Sequence, residues 1–162
     1  MRPMRASAEG VVEAIFITSE PAAPMREVSQ VEAVAGKGLA GDRYAAMAGT
    51  FSKEGHVEQQ VTLIEAEAIE AVRRDYQLDY RPIDSRRNIL TRGVAVNHLV
   101  GREFTIGPVR LRGVKLAEPC GHMEKLCGKE GARKALIHRG GLRAEILAGG
   151  AIRTGDAIRV IP

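Results

Sequence analysis

The stretch VRLRGVKLAEPCGH, residues 109–122, decides the fold, because it predicts both a β-strand and the point at which that strand must end. Apolar and charged residues alternate along its first half, and the alternation shifts across Gly113, which indicates a β-bulge. Pro119 cannot donate a hydrogen bond to a neighbouring strand, and it restricts the residue before it to extended geometry. We therefore expect the strand to end near Leu116 and to deliver Cys120 to a loop.

Three side chains after this break carry chemistry, and each has two interpretations. Cys120 is either a thiol presented for chemistry at the mouth of a sheet or a small buried hydrophobe, as most free cysteines are. His122 is either an acid–base group or hydrogen-bond partner within a site, or a histidine on a solvent-facing loop. Cys127 either resolves a persulfide or sulfenate on Cys120 by forming a disulfide, or packs on a following helix. A zinc site built from all three is a further hypothesis, although C-x-H-x4-C is not a standard zinc spacing.

Outward from this stretch, the sequence predicts a β-rich domain. Residues 102–106 and 109–116 form an expected hairpin around a Gly-Pro turn. Further strands are predicted at residues 11–18, 26–34, 142–147 and 157–161, with turns at Gly149-Gly150 and Gly155-Asp156. Many short strands, without regular alternation between strands and helices, favour one mainly β domain over residues 1–162, a β-barrel with peripheral helices.

Two helical segments are expected outside this barrel. Thr62 and Glu65 have capping-box spacing, and an amphipathic pattern follows them as far as Arg74. Residues 124–138 are helix-like, with two interrupting glycines. Residues 45–60 are irregular and polar, and they are a candidate for a loop that covers a site.

The composition excludes several classes of protein. Aromatic residues make up only 4% of the 162 residues and tryptophan is absent, which argues against stacking platforms for single-stranded nucleic acid. Two cysteines do not make a disulfide framework in a chain of this length, so we expect a reducing, cytoplasmic location. No apolar run approaches the roughly 20 residues of a membrane helix, and the N-terminal residues lack the pattern of a secretory signal.

The distribution of charge points to an anionic ligand. The whole chain carries a net charge of +4, whereas residues 81–115 contain eight basic and two acidic residues, an excess of six. A local basic excess favours binding of an anion, although solvated arginines on strands are an equally simple explanation for any one of them. Nucleic acid remains a weak alternative partner for this window.

Two motifs supply basic residues that could bind an anion. GKGLAGDRY, residues 36–44, is a glycine-rich loop whose backbone and basic side chains could face a phosphate, although it lacks the Walker A order and could be an ordinary turn. SRRNILTRG, residues 85–93, predicts a strand whose polar start faces a ligand, or surface arginines at a barrel edge. On a regular strand Arg86 and Arg87 point to opposite faces, so only one joins a given site unless the backbone bends.

Four segments in this order resemble the MOSC domain, the family named after the C-terminal domain of molybdenum-cofactor sulfurase. The segments are GKGLAGDR at 36–43, RRNILTRG at 86–93, EPC at 118–120 and the glycine-rich C-terminal part from Gly140 to Asp156. The resemblance covers about residue 9 to the end and implies a stand-alone, single-domain member. It also implies a β-rich barrel with peripheral helices, in agreement with the strand pattern.

The resemblance further implies a molybdenum cofactor, a pterin dithiolene with a terminal phosphate. Its hallmark cysteine matches Cys120, whose thiolate would ligate molybdenum, with His122 as a second catalytic candidate. The matching motifs would surround the cofactor with Lys37, Gly38, Asp42, Arg43, Arg86, Arg87, Asn88 and Thr91. Soft thiolate ligation of a metal is chemically reasonable, and arginines suit a phosphate.

Two functions follow from this resemblance. The first is reduction of N-hydroxylated small molecules with electrons from a separate protein, because the sequence has no iron–sulfur or dinucleotide motif. The alternative is a sulfur carrier or cofactor-handling module that uses a Cys120 persulfide, receives sulfur from a donor protein and has no turnover of its own. Both are independent of pyridoxal phosphate, and both make Cys120 essential.

Overall fold

A computed structural model describes residues 9–20, 22–46 and 57–162, and within them eleven strands and three α-helices. The strands are β1 (Glu9–Ile17), β2 (Arg26–Val28), β3 (Gln30–Val34), β4 (Gly38–Leu39), β5 (Val61–Glu65), β6 (Ile89–Arg92), β7 (Glu103–Ile106), β8 (Val109–Leu116), β9 (Leu142–Ala148), β10 (Gly150–Arg153) and β11 (Ala157–Val160). The helices are α1 (Ala66–Tyr76), α2 (Gly121–Cys127) and α3 (Ala132–Ala135). Short 3-10 turns occur at Val57–Gln59, Pro82–Ser85 and Val96–His98.

Seven of these strands close into a barrel. Their order is β11-β7-β8-β9-β5-β6-β1, and β1 pairs again with β11 to complete the ring. The β5–β6 pair is parallel, and the other pairs of the ring are antiparallel. β2 extends the sheet from β1, and a small sheet of β10, β3 and β4 lies apart from the ring. The predicted β-barrel with peripheral helices is confirmed.

The wall of the barrel separates two hydrophobic cores. The inner core is filled by apolar side chains such as Leu63, Phe104 and Leu111, each fully buried. The outer core lies between the barrel wall and the helices, where Ile64 and Leu90 pack with residues of all three helices. Alternate residues of one strand therefore serve different cores, as the period of a strand requires. The outer core supports Cys120, which packs against it.

Residues 109–122 adopt the conformation that their sequence predicts. β7 and β8 form the expected hairpin, and the register of β8 against β9 shifts after Gly113. β8 ends at Leu116, and three residues then lead through Pro119 to Cys120. The strand break therefore places Cys120 at the start of α2 rather than in an open loop.

Three predictions of secondary structure are wrong or need new boundaries. Val61–Glu65 is a strand and not the first turn of a helix, because four of its five residues are buried in the barrel wall and pair with neighbouring strands. Helix α1 begins only at Ala66, and no capping-box hydrogen bond forms. Gly150 begins β10 instead of closing a turn, and the predicted strand at 26–34 is divided into β2 and β3 at Ser29.

The other helical predictions are partly met. The segment predicted as helix-like from residue 124 forms two helices, α2 and α3, and α2 begins earlier than expected, at Gly121. The candidate covering loop at 45–60 falls largely on residues 47–56, which lie outside the described residues. Within the described part of the chain, no helix is long and apolar enough to cross a membrane.

Candidate functional site

One pocket beside the outer core brings together a thiol, an imidazole and four guanidinium groups. It is lined by Ala22, Arg43, Tyr44, Arg86, Arg87, Glu118, Cys120, His122, Met123 and Arg143. Five of the predicted site residues therefore share one wall: Arg43, Arg86, Arg87, Cys120 and His122. Four arginines around one thiol favour an anionic ligand next to a nucleophilic or metal-binding sulfur. We call this site the arginine pocket.

Cys120 is positioned by the way its loop is anchored. It is the N-cap residue of α2, with extended backbone geometry (φ −136°, ψ 164°), and its carbonyl accepts a hydrogen bond from the amide of Glu124 at 3.2 Å. Its side chain is partly buried against the outer core. The thiol therefore sits on a defined backbone, packs in part against the outer core and also lines the pocket.

Arg87 fastens the loop that precedes Cys120. Its Nε donates to the carbonyl of Gly140 at 2.9 Å, and its Nη2 donates to the carbonyls of Ala117 at 2.9 Å and Glu118 at 3.4 Å. Burial lowers the pKa of this guanidinium to about 10, and the like charge of Arg143 acts in the same direction. Among the described residues no carboxylate forms an ion pair with Arg87. Its charge is therefore available to an anion in the pocket.

Arg86 reaches the same pocket because the backbone bends. The residue adopts left-handed geometry (φ 59°) at the end of a 3-10 turn, and β6 begins only at Ile89. Both arginines therefore line one pocket through the backbone bend that the sequence analysis named as the exception, since neither residue lies on a regular strand. A non-glycine residue in this conformation is strained by roughly 1–2 kcal/mol, a cost that is found most often at functional sites.

The glycine-rich loop contributes Arg43, which a buried carboxylate holds in place. Asp42 is fully buried, pairs with Arg43 Nη1 at 3.2 Å and accepts the amide of Thr18 at 3.1 Å. Arg43 Nη2 also donates to the carbonyl of Arg86 at 3.3 Å, which ties this loop to the second arginine motif. Asp42 thus positions a pocket arginine without lining the pocket itself.

The sequence reasoning missed two residues of the pocket, Tyr44 and Arg143. Arg143 lies on β9 between Leu142 and Ala144, whose side chains face the inner core. The alternation of the strand therefore indicated that Arg143 faces the other side of the sheet, and this was the signal that could have identified it. Burial acts to raise the pKa of the Tyr44 phenol, but the guanidinium groups of Arg43 and Arg143 outweigh it, and the pKa lies below its usual value. Arg43 also lies over the Tyr44 ring, 4.4 Å from its centroid.

We expect Tyr44 to ionise at lower pH than Tyr80 in the folded protein, because the pKa of the Tyr44 phenol lies below its usual value. Burial raises the pKa of Tyr80, so its phenol stays protonated to higher pH. Because the pKa of Tyr44 is lower in the folded than in the unfolded chain, its ionisation adds stability above the unfolded-state pKa, and that contribution is lost as pH falls through the folded-state pKa. Phenolate absorbance followed against pH should show a step below about pH 10. Tyr44→Phe should abolish that step, and its persistence in the variant would contradict the assignment.

The remaining predicted cofactor residues lie away from the pocket wall. Asn88 is fully buried and joins three strands, because its side chain accepts from the amide of Thr62 at 3.0 Å and donates to the carbonyl of Phe16 at 3.1 Å. Thr91 donates its hydroxyl to the carbonyl of Ile64 at 3.3 Å. Lys37 is exposed in the turn before β4, and Gly38 is a buried residue of β4. The structure brings none of these into the arginine pocket and gives Asn88 and Thr91 structural partners instead.

Cys127 is not placed to react with Cys120. The two residues stand at opposite ends of α2, seven residues apart, which corresponds to about 10 Å along a helix. A disulfide needs Cα atoms within roughly 7 Å, so this helix would have to unwind first. The thiol of Cys127 donates to the carbonyl of Glu124 at 3.4 Å and packs against the outer core, which agrees with the second interpretation of this residue.

The zinc hypothesis is wrong for the same geometric reason. Cys120, His122 and Cys127 do not converge, and the residues described by the structure contain no group of three His, Cys, Asp or Glu side chains able to hold a metal ion.

Comparison with known proteins identifies the architecture. The family model described as MOSC domain matches residues 50–159. The solved structure of the YuaD protein from Bacillus subtilis is similar, with a TM-score of 0.77 and 14% sequence identity over 94% of this chain and 95% of that chain. YiiM from Geobacillus stearothermophilus has a TM-score of 0.72 and 13% identity over 94% of this chain and 75% of its own.

A third solved structure, YiiM from Escherichia coli, has a TM-score of 0.64 and 14% identity over 99% of this chain and 71% of its own. No curated protein sequence matches this chain. At such low identities the solved structures establish a shared fold alone, and the chemistry of the site has to be argued from its own residues.

Proposed function

The chain belongs to the MOSC domain family, and from this we propose that it binds a molybdenum cofactor, with the Cys120 thiolate as metal ligand. The family as a whole is associated with binding of this cofactor. The observation that carries the proposal is the convergence of one presented thiol and four arginines on a single pocket. We further propose that the protein works in the cytoplasm, since both of its cysteines are free.

The residues present fit such a cofactor in two respects. A thiolate is a soft ligand of the kind that redox-active transition metals accept, and Cys120 presents one from an anchored loop. Arg87 supplies buried positive charge with only carbonyl partners among the described residues, which suits an anionic group of the cofactor. The arginine pocket encloses only about 60 Å³. It therefore suits one end of the cofactor rather than a whole pterin.

We propose that the reaction is reduction of an N-hydroxylated small molecule. The N–O bond breaks, two electrons from a separate donor protein and two protons are consumed, and water leaves with the oxygen atom. The cofactor, when bound, supplies the two-electron oxygen chemistry. The chain's own part is to hold the thiolate, to fix anionic groups with Arg43, Arg86 and Arg87, and to offer His122 and Tyr44 as proton-bearing groups on the pocket wall.

The test is the molybdenum and pterin content of the protein made in a host that synthesises the cofactor. We expect about one molybdenum and one pterin per chain in the wild type, and loss of most of the molybdenum in Cys120→Ser, because a hydroxyl is a much poorer ligand than a thiolate. Cys127→Ser is the matched control and should retain its molybdenum, since Cys127 lies outside the arginine pocket.

Three outcomes separate the functions. Molybdenum that depends on Cys120, followed by reduction of an amidoxime with a chemical electron donor, supports the reductase. Molybdenum-free protein with a persulfide mass adduct on Cys120 would favour the sulfur carrier. Equal molybdenum content in Cys120→Ser and in the wild type would overturn the ligand role of Cys120.

A further inference from the structure

An open groove lies outside the arginine pocket, between the end of α1 and the segment formed by α3 and the residues that follow it. It is lined by Tyr76, Lys134, Ala135, Ile137, His138 and Arg139. It shares none of these residues with the arginine pocket. We call it the helix groove.

Two exposed apolar side chains share the helix groove. Tyr76 is 44% exposed, and Ile137, at 49%, is the most exposed large apolar residue of the described chain. Val57, Val100 and Leu147 are the other exposed large apolar residues in the part of the chain that the structure describes, and none of them lines the groove. Single exposed apolar residues are ordinary, whereas apolar residues gathered on one concave surface are typical of a contact with another molecule.

The segment that presents Ile137 is held in place by hydrogen bonds. Arg139 Nε donates to the carbonyl of Ala135 at 2.8 Å, and Asn97 Nδ2 donates to the carbonyl of His138 at 3.0 Å. His138 adopts left-handed geometry with a φ of 68°, which costs free energy in a residue other than glycine and is found most often at functional sites. The exposure of Ile137 is therefore part of a defined conformation.

The two segments that form the groove are strongly basic. Residues 73–76 and 133–139 contain five arginines or lysines and one carboxylate, a net charge of +4 that equals the net charge of the whole chain. The carboxylate, Asp75, pairs with Arg74 at 2.7 Å and with Arg139 at 3.4 Å, and no described carboxylate lines the groove itself. Such a surface attracts an acidic partner.

The helix groove lies close to the arginine pocket along the chain. Gly140 directly follows Arg139, and its carbonyl accepts a hydrogen bond from Arg87 Nε at 2.9 Å. Because three residues of chain span at most about 11 Å, the Cα atom of Ile137 lies within that distance of the Cα atom of Gly140. A protein docked on the groove would therefore be near the pocket without occupying it.

We propose that the helix groove docks an acidic face of the electron-donor protein. This inference rests on the proposed function, in which the donor is oxidised by two electrons. Those electrons and two protons convert the N–OH group of the substrate to N–H and release water. An apolar side chain of the donor would contact Tyr76 and Ile137, and carboxylates around that side chain would face Lys134 and Arg139.

Two other occupants suit this surface less well. A second copy of the chain would bring the same positive charges against each other, which opposes association. A membrane surface is favoured by a helix that lies in the interface with its apolar face exposed. Here α3 has only four residues, and the apolar face of α1 is buried in the outer core.

The test compares two electron donors of different size. Reduced flavodoxin of acidic sequence needs a docking surface, whereas reduced methyl viologen is a small molecule that needs none. In Ile137→Asp we expect the flavodoxin concentration for half-maximal reduction of benzamidoxime to rise about tenfold or more, because a carboxylate replaces an apolar contact and repels an acidic partner. The rate with methyl viologen should stay within about twofold of the wild-type rate, since the substitution lies outside the arginine pocket.

Val100→Asp is the matched control. It introduces the same charge at an apolar position of similar exposure, 45%, outside the groove, and it should leave the half-maximal flavodoxin concentration within about twofold of the wild-type value. Lys134→Glu, at an exposed position of α3, should reproduce the effect of Ile137→Asp. Added salt should weaken the reaction of the wild type with flavodoxin.

Two results with active protein would overturn the inference. Equal increases of the half-maximal concentration in Ile137→Asp and Val100→Asp would show that net charge alone matters. A wild type that works with methyl viologen but shows no saturable reduction with flavodoxin would show that the groove does not dock an acidic donor.

Failure of the proposed function is recognised separately, as a wild type that is inactive with methyl viologen. Docking is then followed by amide NMR of the labelled protein mixed with flavodoxin. Shift changes at residues 73–76 and 133–139 that are lost in Ile137→Asp and kept in Val100→Asp would support the docking surface without the reductase. Absence of binding, or shift changes confined to other surfaces, would overturn it. Binding to phosphatidylserine vesicles instead of flavodoxin, lost in Ile137→Asp, would assign the groove to a membrane and also overturn it.

Discussion

Replacing Arg87 with methionine is expected to lower the free energy of unfolding by about 2–4 kcal/mol. The guanidinium hydrogen-bonds the carbonyls of Ala117, Glu118 and Gly140, and the first and last of these residues are buried. A buried acceptor left without its partner costs about 1–3 kcal/mol. Methionine occupies similar space but donates no hydrogen bond, so the loop that presents Cys120 would lose its attachment to the strand that follows α3. Chemical denaturation followed by circular dichroism measures the change.

Arg110→Met is the matched control for this prediction. Arg110 is exposed on β8, and its pair with Glu103 at 2.9 Å is a surface ion pair, a type that contributes roughly 0–1 kcal/mol. Arg87→Lys should fall between the two, because one ammonium group cannot span three carbonyls held at these positions. Equal stability of Arg87→Met and Arg110→Met would show that Arg87 does not anchor the loop.

The Gly141→Ala substitution should destabilise the protein by roughly 3 kcal/mol or more. Gly141 has a φ of +107°, and a Cβ at this position would lie 2.1 Å from the carbonyl oxygen of Leu63. That oxygen belongs to β5, so relief of the clash requires the start of β9 to separate from the barrel wall. The carbonyl of Gly141 also accepts a hydrogen bond from the amide of Ala117, so displacement of Gly141 would disturb the loop that presents Cys120. The midpoint of denaturation provides the measurement.

Gly155→Ala separates the clash from the backbone strain. Gly155 has a similar φ of +92°, but a Cβ there would meet nothing within 4 Å. Its loss of stability should be limited to the cost of left-handed geometry, about 1–2 kcal/mol. If both alanine variants lose the same stability, the close approach to Leu63 is not what requires a glycine at position 141.

The general architecture could be predicted because local patterns agree with it. The hairpin of β7 and β8, the bulge at Gly113 and the break at Pro119 each have a direct physical cause in the sequence. The helix start was placed too early because Thr62 and Glu65 have the spacing of a capping box, whereas pairing with β6 and β9 decides the conformation of that segment. A local signal was overridden by contacts that are distant in sequence.

The sequence predicted a thiol and arginines in the candidate site, but it did not predict correctly which residues of each motif line the pocket. Cys120, Arg43, Arg86 and Arg87 converge as the motifs suggested, but only because Arg86 adopts a left-handed conformation that no periodicity indicates. Asp42, Asn88 and Thr91 belong to the same motifs and instead hold strands and loops together. The motifs therefore indicated which segments of the chain form the site, whereas burial and hydrogen bonding decide which of their residues line the pocket.

The ring closure between β1 and β11 has a consequence for how the chain folds. Glu9–Val11 pair with Ala157–Arg159, so the last contact of the barrel joins segments near opposite ends of the described chain. Bringing such distant segments together is entropically costly, and proteins rich in these contacts fold slowly. During synthesis the earlier strands leave the ribosome before β11 exists, and until then both edges of the open sheet can pair with other chains. Barrel closure therefore has to wait until β11 has been made, and it is the step that removes the open strand edges of this sheet.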